Sequence, residues 1–296
     1  MPIPYLGSKR KSAGKIYSTI RNLNPEAKIL VDLFCGGFAL SEYFYKRGWT
    51  VISNDKNKYV VALLNKTINE GLDEDIVTKF ITRERFIEVL QNPDNHDEWY
   101  VGYVMCVWSF GNNQKGYLFG KDVEPIKHAG HELVINKDAT LINKLISTIP
   151  DKYIQGILSL DNWHKRRLAL AQVSHKLKTR VLELERLQQL QRLEQLERLE
   201  RLEITSRDYR QVNIPRGAVV YCDPPYQNTG EYHEGGFNHD EFWQWVRDIS
   251  KTNKIYISEY KAPDDFRKVL QFSQRSTYAG GNNSGQPDEC LFTYNG

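Results

Sequence analysis

Two apolar runs, each carrying an acid and separated by a glycine pair and a helix-length stretch, constrain the fold of this chain most. Ile29-Leu30-Val31-Asp32-Leu33-Phe34 reads as a buried strand, Cys35-Gly36-Gly37 follows, Phe38 to Arg47 has a helical pattern, and Val51-Ile52-Ser53-Asn54-Asp55 reads as a second strand. Strand, glycine turn, helix, strand is the opening of a doubly wound α/β sheet, and Asp55 lies 23 positions after Asp32, close to the offset at which such sheets place a ribose-binding carboxylate. Asn57 to Glu70 continues as a helix.

A third strand end carries an acid as well. Val219-Val220-Tyr221-Cys222 is a core-strand run that stops at Asp223-Pro224-Pro225-Tyr226. Ligands of open α/β sheets bind beyond the carboxyl ends of the strands, so the run delivers a carboxylate, a stiff backbone and an aromatic ring to one edge. Further strands are expected at Leu202–Ser206, Lys254–Ser258 and Cys290–Tyr294, with an amphipathic helix at His239–Lys251.

With 296 residues, 40% of them hydrophobic, the chain can bury one large domain and an insert. No apolar run approaches the roughly 18 residues of a membrane span and no leader is expected at Met1, which points to a cytosolic protein. Cys35, Cys106, Cys222 and Cys290 are widely spaced and read as buried free thiols.

From about Ile76 the α/β rhythm ceases. Residues 76–169 are rich in aromatics, glycine and amides and read as an inserted recognition domain. Packing accounts for some of Trp108, Phe110, Tyr117 and Phe119, whereas Asn112, Asn113, Gln114 and Lys115 among glycines suit contacts to base edges and phosphates. The net charge of +3 says little, but Ser8-Lys9-Arg10-Lys11 is a basic cluster and residues 162–180 carry six Lys or Arg and no acid. Lys165, Arg166 and Arg167 beside Trp163 and His164 there are candidates for a nucleic-acid backbone, although a solvated helix face is the plainer reading.

Leucine then recurs at every third position from Leu184 to Leu202. The segment 181–203 is expected to be one connecting helix, supported by Glu194–Arg198 and Glu197–Arg201 at i, i+4. A period of three shifts each leucine by about 60° around an α-helix, so no single stripe forms and another element or a second copy of the chain must cover some of them.

In order, Tyr5-Leu6-Gly7-Ser8-Lys9, Asp32-Leu33-Phe34-Cys35-Gly36-Gly37, Asp55, Asp208-Tyr209 and Asp223-Pro224-Pro225-Tyr226 resemble the motifs of the Dam family of DNA adenine-N6 methyltransferases, including phage-encoded members, along essentially the whole chain. One departure is Phe38, which stands where the family commonly has a second loop glycine. The resemblance implies a Rossmann-like S-adenosylmethionine-dependent methyltransferase sheet from residues 1–75 and 170–296, with 76–169 as an inserted, mainly helical target-recognition domain. It implies that Tyr5, Lys9, Asp32, Phe34, Gly36, Gly37, Asp55, Asp208, Tyr209 and Asp223 line the cofactor site and that Asp223, Pro224 and Tyr226 are catalytic. The implied partner is double-stranded DNA, in a bacterial or phage-infected cell, with no metal required; host marking, restriction protection and a phage role all stay open.

The physical roles agree with this. An exocyclic adenine amine is a poor nucleophile because its lone pair is delocalised into the ring; Asp223 and the Pro224 carbonyl can each accept one of its N–H groups and aim the lone pair, while Tyr226 stacks on a base turned out of the duplex. Methylation of another planar amine, such as cytosine N4, an RNA adenine or a protein glutamine, and a catalytically idle DNA-binding protein are the competing expectations.

Overall fold

The computed structural model describes residues 3–146, 149–177, 184–194, 196, 199, 202, 204–226, 236–272 and 288–295. Seven strands, β1 (Ile29–Asp32), β2 (Thr50–Asn54), β3 (Ile204–Thr205), β4 (Val219–Cys222), β5 (Lys254–Glu259), β6 (Phe266–Phe272) and β7 (Glu289–Tyr294), form one sheet in the order β3-β2-β1-β4-β5-β7-β6. Neighbours among the first five are parallel, and β7 is antiparallel to both β5 and β6. This mixed α/β architecture is the Rossmann-like methyltransferase fold expected from the sequence.

Strand alternation feeds two cores. Leu30, Val219, Tyr221, Tyr256 and Leu291 point to one face, where they meet Ile16, Ile20, Leu40 and Phe44 of the helices Ala13–Leu23 and Ala39–Tyr45. Val31, Val220, Cys222, Ile255 and Ile257 point to the other, against Phe242, Trp243 and Val246 of the helix His239–Ile249. Both faces are covered, which is why these strands read as nearly continuous apolar runs. All four cysteines are free and buried.

Strand order places the site. The chain leaves β1 for β2 on one side, while β4 lies on the other. That is the topological switch point, and the crevice it opens lies beyond the carboxyl ends of β1 and β4. The Gly36-Gly37 turn and the Asp223-Pro224-Pro225 run both begin there.

Cys290–Tyr294 joins the sheet as expected, but inside it: the edge is β6, a strand the sequence pattern did not reveal, because Arg267, Lys268 and Gln271 interrupt its alternation on the exposed side.

Within residues 76–169 the helices Arg83–Gln91, Glu98–Val107, Glu124–Ile135, Thr140–Leu145, Asp151–Leu158 and the start of Trp163–Lys176 build a helical layer. Trp108, Tyr117 and Phe119 are in its core, whereas Phe110 is 53% exposed. The layer is not separate from the sheet domain. Gly102 lies so close to the helix Lys58–Asn69 that a Cβ there would stand 2.0 Å from the Tyr59 carbonyl oxygen, and both helices share one hydrophobic core.

The leucine-triplet segment corrects an expectation. Its described α-helix covers only Glu185–Glu194, after which Leu196 N donates to Leu193 O (2.8 Å) and Leu199 N to Leu196 O (3.0 Å). Bonds from i+3 to i are those of a 3-10 turn, in which a spacing of three keeps side chains aligned instead of spreading them. Three leucines in a short α-helix cover an arc of only about 120°, and the tighter turns hold the rest on that side. Leu184, Leu187, Leu190, Leu193, Leu196 and Leu199 are accordingly all buried, in the same core as Val77 and Val101. Cover by a second copy is not needed for them. Buried Arg186 fastens the helix, donating to the Lys79 carbonyl (3.0 Å) and the Tyr103 hydroxyl (3.1 Å) with its guanidinium 4.2 Å from the Trp108 ring centroid. The expected pairs Glu194–Arg198 and Glu197–Arg201 lie outside the described residues.

Among the described residues no helix is long and apolar enough to cross a membrane.

Candidate active site

An N-terminal strap closes over the glycine turn. Ile3 N donates to Gly37 O (3.0 Å), and the Tyr5 ring covers Gly36. Gly36 has φ +45°, and a Cβ on it would lie 2.8 Å from Tyr5 Cε1; a Cβ on Gly37 would lie 2.7 Å from Ile3 O. Both positions therefore need glycine for the close approach of this strap. Phe38, at the place of the missing glycine, caps the helix Ala39–Tyr45 with φ 67° and ψ 18°. A left-handed phenylalanine is strained by about 1–3 kcal/mol, which complete burial of its ring offsets. After the strap, Gly7 turns the chain at φ +77° and the single turn Lys9–Lys11 carries Lys9 inward to 6% exposure.

Four acids converge at the rim. Asp32 pairs in register with Ser53 on β2 and Tyr221 on β4. Its Oδ2 accepts the Ser41 hydroxyl at 2.7 Å, while the buried Oδ1 has no hydrogen-bond partner. Burial pushes the Asp32 carboxyl up to about 7, aided by the charges of Asp223 and Asp55 and opposed by the Ser41 hydrogen bond. Asp55, just past β2, accepts Gly36 N on Oδ2 (2.8 Å) and Asn57 N on Oδ1 (2.9 Å), so it ties the two loops together.

Asp223 is held by two donors. Lys9 Nζ lies 2.5 Å from its Oδ2, and the Tyr226 hydroxyl donates to its Oδ1 at 2.9 Å. The fourth acid, Glu289, was not singled out in the sequence. It opens β7, whose antiparallel direction brings its first residue to the rim where the parallel strands end. Lys9 Nζ is 3.2 Å from Glu289 Oε1, and the Tyr226 hydroxyl is also within hydrogen-bond reach of that oxygen, so its one hydrogen is shared between Asp223 and Glu289. Burial alone would push the Lys9 ammonium down, but Asp223 and Glu289 together hold it above its ordinary value. The Glu289 carboxyl is raised by burial and by Asp223, against Lys9 and Tyr226. Tyr226 meets Tyr260 edge-on, with centroids 4.9 Å apart.

Phe34 and Tyr209 come together at 5.6 Å between centroids, in an aromatic group with Phe237 and Phe242. Asp208 caps the turn Tyr209–Gln211, and its carboxylate accepts from Arg210 N (3.1 Å), Nε (2.7 Å) and Nη2 (3.0 Å). It is occupied by a structural pair, and the aromatic neighbour Tyr209 is the better border for a ligand.

The amide loop hangs over the same rim. Ser109 and Tyr117 bridge its ends, and Gln114 Oε1 accepts from Asn57 Nδ2 (3.1 Å), two residues after Asp55. Asn113 Oδ1 braces the loop by accepting Lys115 N (3.0 Å) and Gly116 N (2.9 Å); Asn112 accepts from Gln189 at 3.4 Å; Lys115 is exposed.

The helix Trp163–Lys176 divides the basic candidates. Lys165 is exposed and pairs with Asp161 at 3.1 Å, and Arg167 is half-buried. Arg166 corrects the sequence reading: it is 5% exposed and its guanidinium donates to the carbonyls of Val134, Ile135 (3.3 Å), Leu160 (3.1 Å) and Asp161 (3.2 Å). A charge spent on the carboxyl end of the helix Glu124–Ile135 offers nothing to a phosphate.

The family model of D12 class N6 adenine-specific DNA methyltransferases matches residues 5–101. That stretch holds Tyr5, Lys9, Asp32, Phe34, the glycine pair and Asp55. It supports a methyltransferase acting on adenine in DNA in general. No curated protein matches the chain.

Proposed function

We propose that this methyltransferase moves a methyl group from S-adenosylmethionine to the N6 amine of an adenine turned out of duplex DNA at a specific site. The observation that carries the reading is the convergence of Asp32, Asp55 and Asp223 at the switch point of the sheet, with Lys9 and Tyr226 gathered on the last.

The residues present fit the cofactor. Asp32 Oδ1 is a buried acceptor with no donor, which suits a cationic ligand. Asp55, just past β2, accepts the Gly36 and Asn57 amides and stands where a carboxylate can meet ribose hydroxyls. Tyr5, Phe34 and Tyr209 supply apolar walls, and the Gly36-Gly37 backbone borders the same crevice. When bound, the cofactor supplies an electrophilic methyl group on a sulfonium. Asp223 and the Pro224 carbonyl accept the two amine hydrogens and so direct the nitrogen lone pair. Pro224 and Pro225 have no N–H and fixed φ, which keeps that carbonyl on a stiff support. The Tyr226 ring is the stacking face for the base, whose extrusion costs a few kcal/mol that the pocket offsets.

Residues 76–169 act as the target-recognition insert in this reading, with Asn112, Asn113 and Lys115 presented over the rim and Lys165 and Arg167 on the helix beyond. The test is transfer of labelled methyl from S-adenosylmethionine to duplex DNA, followed by digestion to nucleosides. N6-methyldeoxyadenosine is the expected product; label in cytosine, label only in RNA, or none at all would overturn the assignment.

A further inference from the structure

Resting on the methyltransferase reading, a difficulty arises at Asp223. Both of its oxygens are engaged, Oδ2 by Lys9 and Oδ1 by the Tyr226 hydroxyl. Each oxygen can accept a further hydrogen bond, but an adenine N–H would compete with these donors for the same carboxylate and weaken their hold. Neither can simply retreat into water: Lys9 is 6% exposed, and an ammonium left unpaired at such burial is strongly disfavoured. Besides the Gly7 carbonyl, 3.3 Å from Lys9 Nζ, a second carboxylate within reach of both donors would keep them in place under that competition.

Glu289 meets that requirement with a single atom. Its Oε1 is 3.2 Å from Lys9 Nζ and within hydrogen-bond reach of the Tyr226 hydroxyl, whose one hydrogen can point to it instead of to Asp223. The side chain is 4% exposed and sits at the first residue of β7, fixed by pairing with β6 through Phe272. We propose that Glu289 is a positioning residue that keeps Lys9 and Tyr226 in place when the substrate amine takes over Asp223. The Tyr226 hydrogen then turns to Glu289, and Lys9 keeps a second carboxylate partner there as its hold on Asp223 weakens. No proton changes owner and no bond beyond hydrogen bonds is exchanged. The arrangement also explains why two buried carboxylates stand beside one lysine: Glu289 holds the donors while Asp223 receives the base amine.

Two measurements on the full chain decide this. In the first, Lys9 acetylation by dilute acetic anhydride is followed by mass spectrometry in the wild type, Asp223→Asn, Glu289→Gln and the double variant. Lys9 should stay as protected in Asp223→Asn as in the wild type, because Glu289 still holds it, and react about tenfold or more faster only in the double variant. Rapid labelling of Asp223→Asn alone, when circular dichroism shows it folded, would overturn the proposal without reference to the double variant. In the second, single-turnover methyl transfer by Glu289→Gln at saturating donor and DNA should be about tenfold or more slower, with the donor dissociation constant changed less than about threefold. A rate within about twofold of wild type contradicts the proposal. A wild type that transfers no methyl refutes the methyltransferase reading instead, and the acetylation result then still decides whether Glu289 anchors Lys9.

Discussion

Asp32 shows how a single buried atom links protonation to binding. Its carboxyl is raised to about 7 in the fold, chiefly by burial, whereas in the unfolded chain it ionises near 3.8. The folded protein thus holds a proton between these values that the unfolded chain has lost. The stabilisation is fully present below about pH 4 and is lost as pH rises through 7. A cationic donor bound beside Oδ1 favours the ionised form, so its affinity should increase with pH by up to about tenfold per unit below 7 and level off above. Calorimetric titration of S-adenosylmethionine at several pH values checks this. Asp32→Asn should bind weakly and lose that pH dependence; an unchanged profile in this variant places the coupled proton elsewhere. Asp32 itself was legible as a strand-end acid, but its orphaned oxygen was not, since that depends on where Ser41 and Ser53 fall in the packed sheet.

Among the elements, the helix Trp163–Lys176 and the Phe110–Gly116 loop separate charges that look alike in sequence. Arg166→Ala should cost about 2–4 kcal/mol of stability through lost charge-assisted hydrogen bonds and leave the salt dependence of DNA binding unaltered in the folded fraction. Lys115→Ala should leave the unfolding midpoint nearly unchanged and reduce the salt slope by about one unit. Urea unfolding and binding titrations across ionic strength measure the two effects; a slope change in Arg166→Ala and none in Lys115→Ala would reverse the division. Periodicity could not make it, because Arg166 is turned inward by carbonyls from a distant helix, Glu124–Ile135. The leucine triplets are covered by another element, as their spacing requires, but on one side of a shorter described helix. A period of three is incompatible with one apolar α-helical stripe, yet fits a short helix that tightens to 3-10 turns at Leu196 and Leu199.

At the scale of the whole molecule, the helical layer and the sheet are joined where Gly102 meets Tyr59. Gly102→Ala would press a methyl group against backbone, and should destabilise the protein by about 1–3 kcal/mol even though alanine favours helices. A gain in thermal stability would mean that the two helices are free to separate there. Most of the sheet could be read from the chain, since β1, β2, β4 and β5 are rich in apolar residues and the acids at the ends of β1, β2 and β4 mark one rim. Direction could not: Glu289 reaches that rim only because β7 runs antiparallel, and nothing local in Asp288-Glu289-Cys290 announces it. In the proposed reaction Asp223 is the acceptor that activates the adenine amine. Its most direct test compares wild type and Asp223→Ala for labelled methyl transfer to duplex DNA while donor binding is measured in parallel. The account predicts adenine-N6 methylation by the wild type and a loss of at least about a hundredfold in the variant with the donor still bound; turnover by Asp223→Ala close to wild type would contradict it.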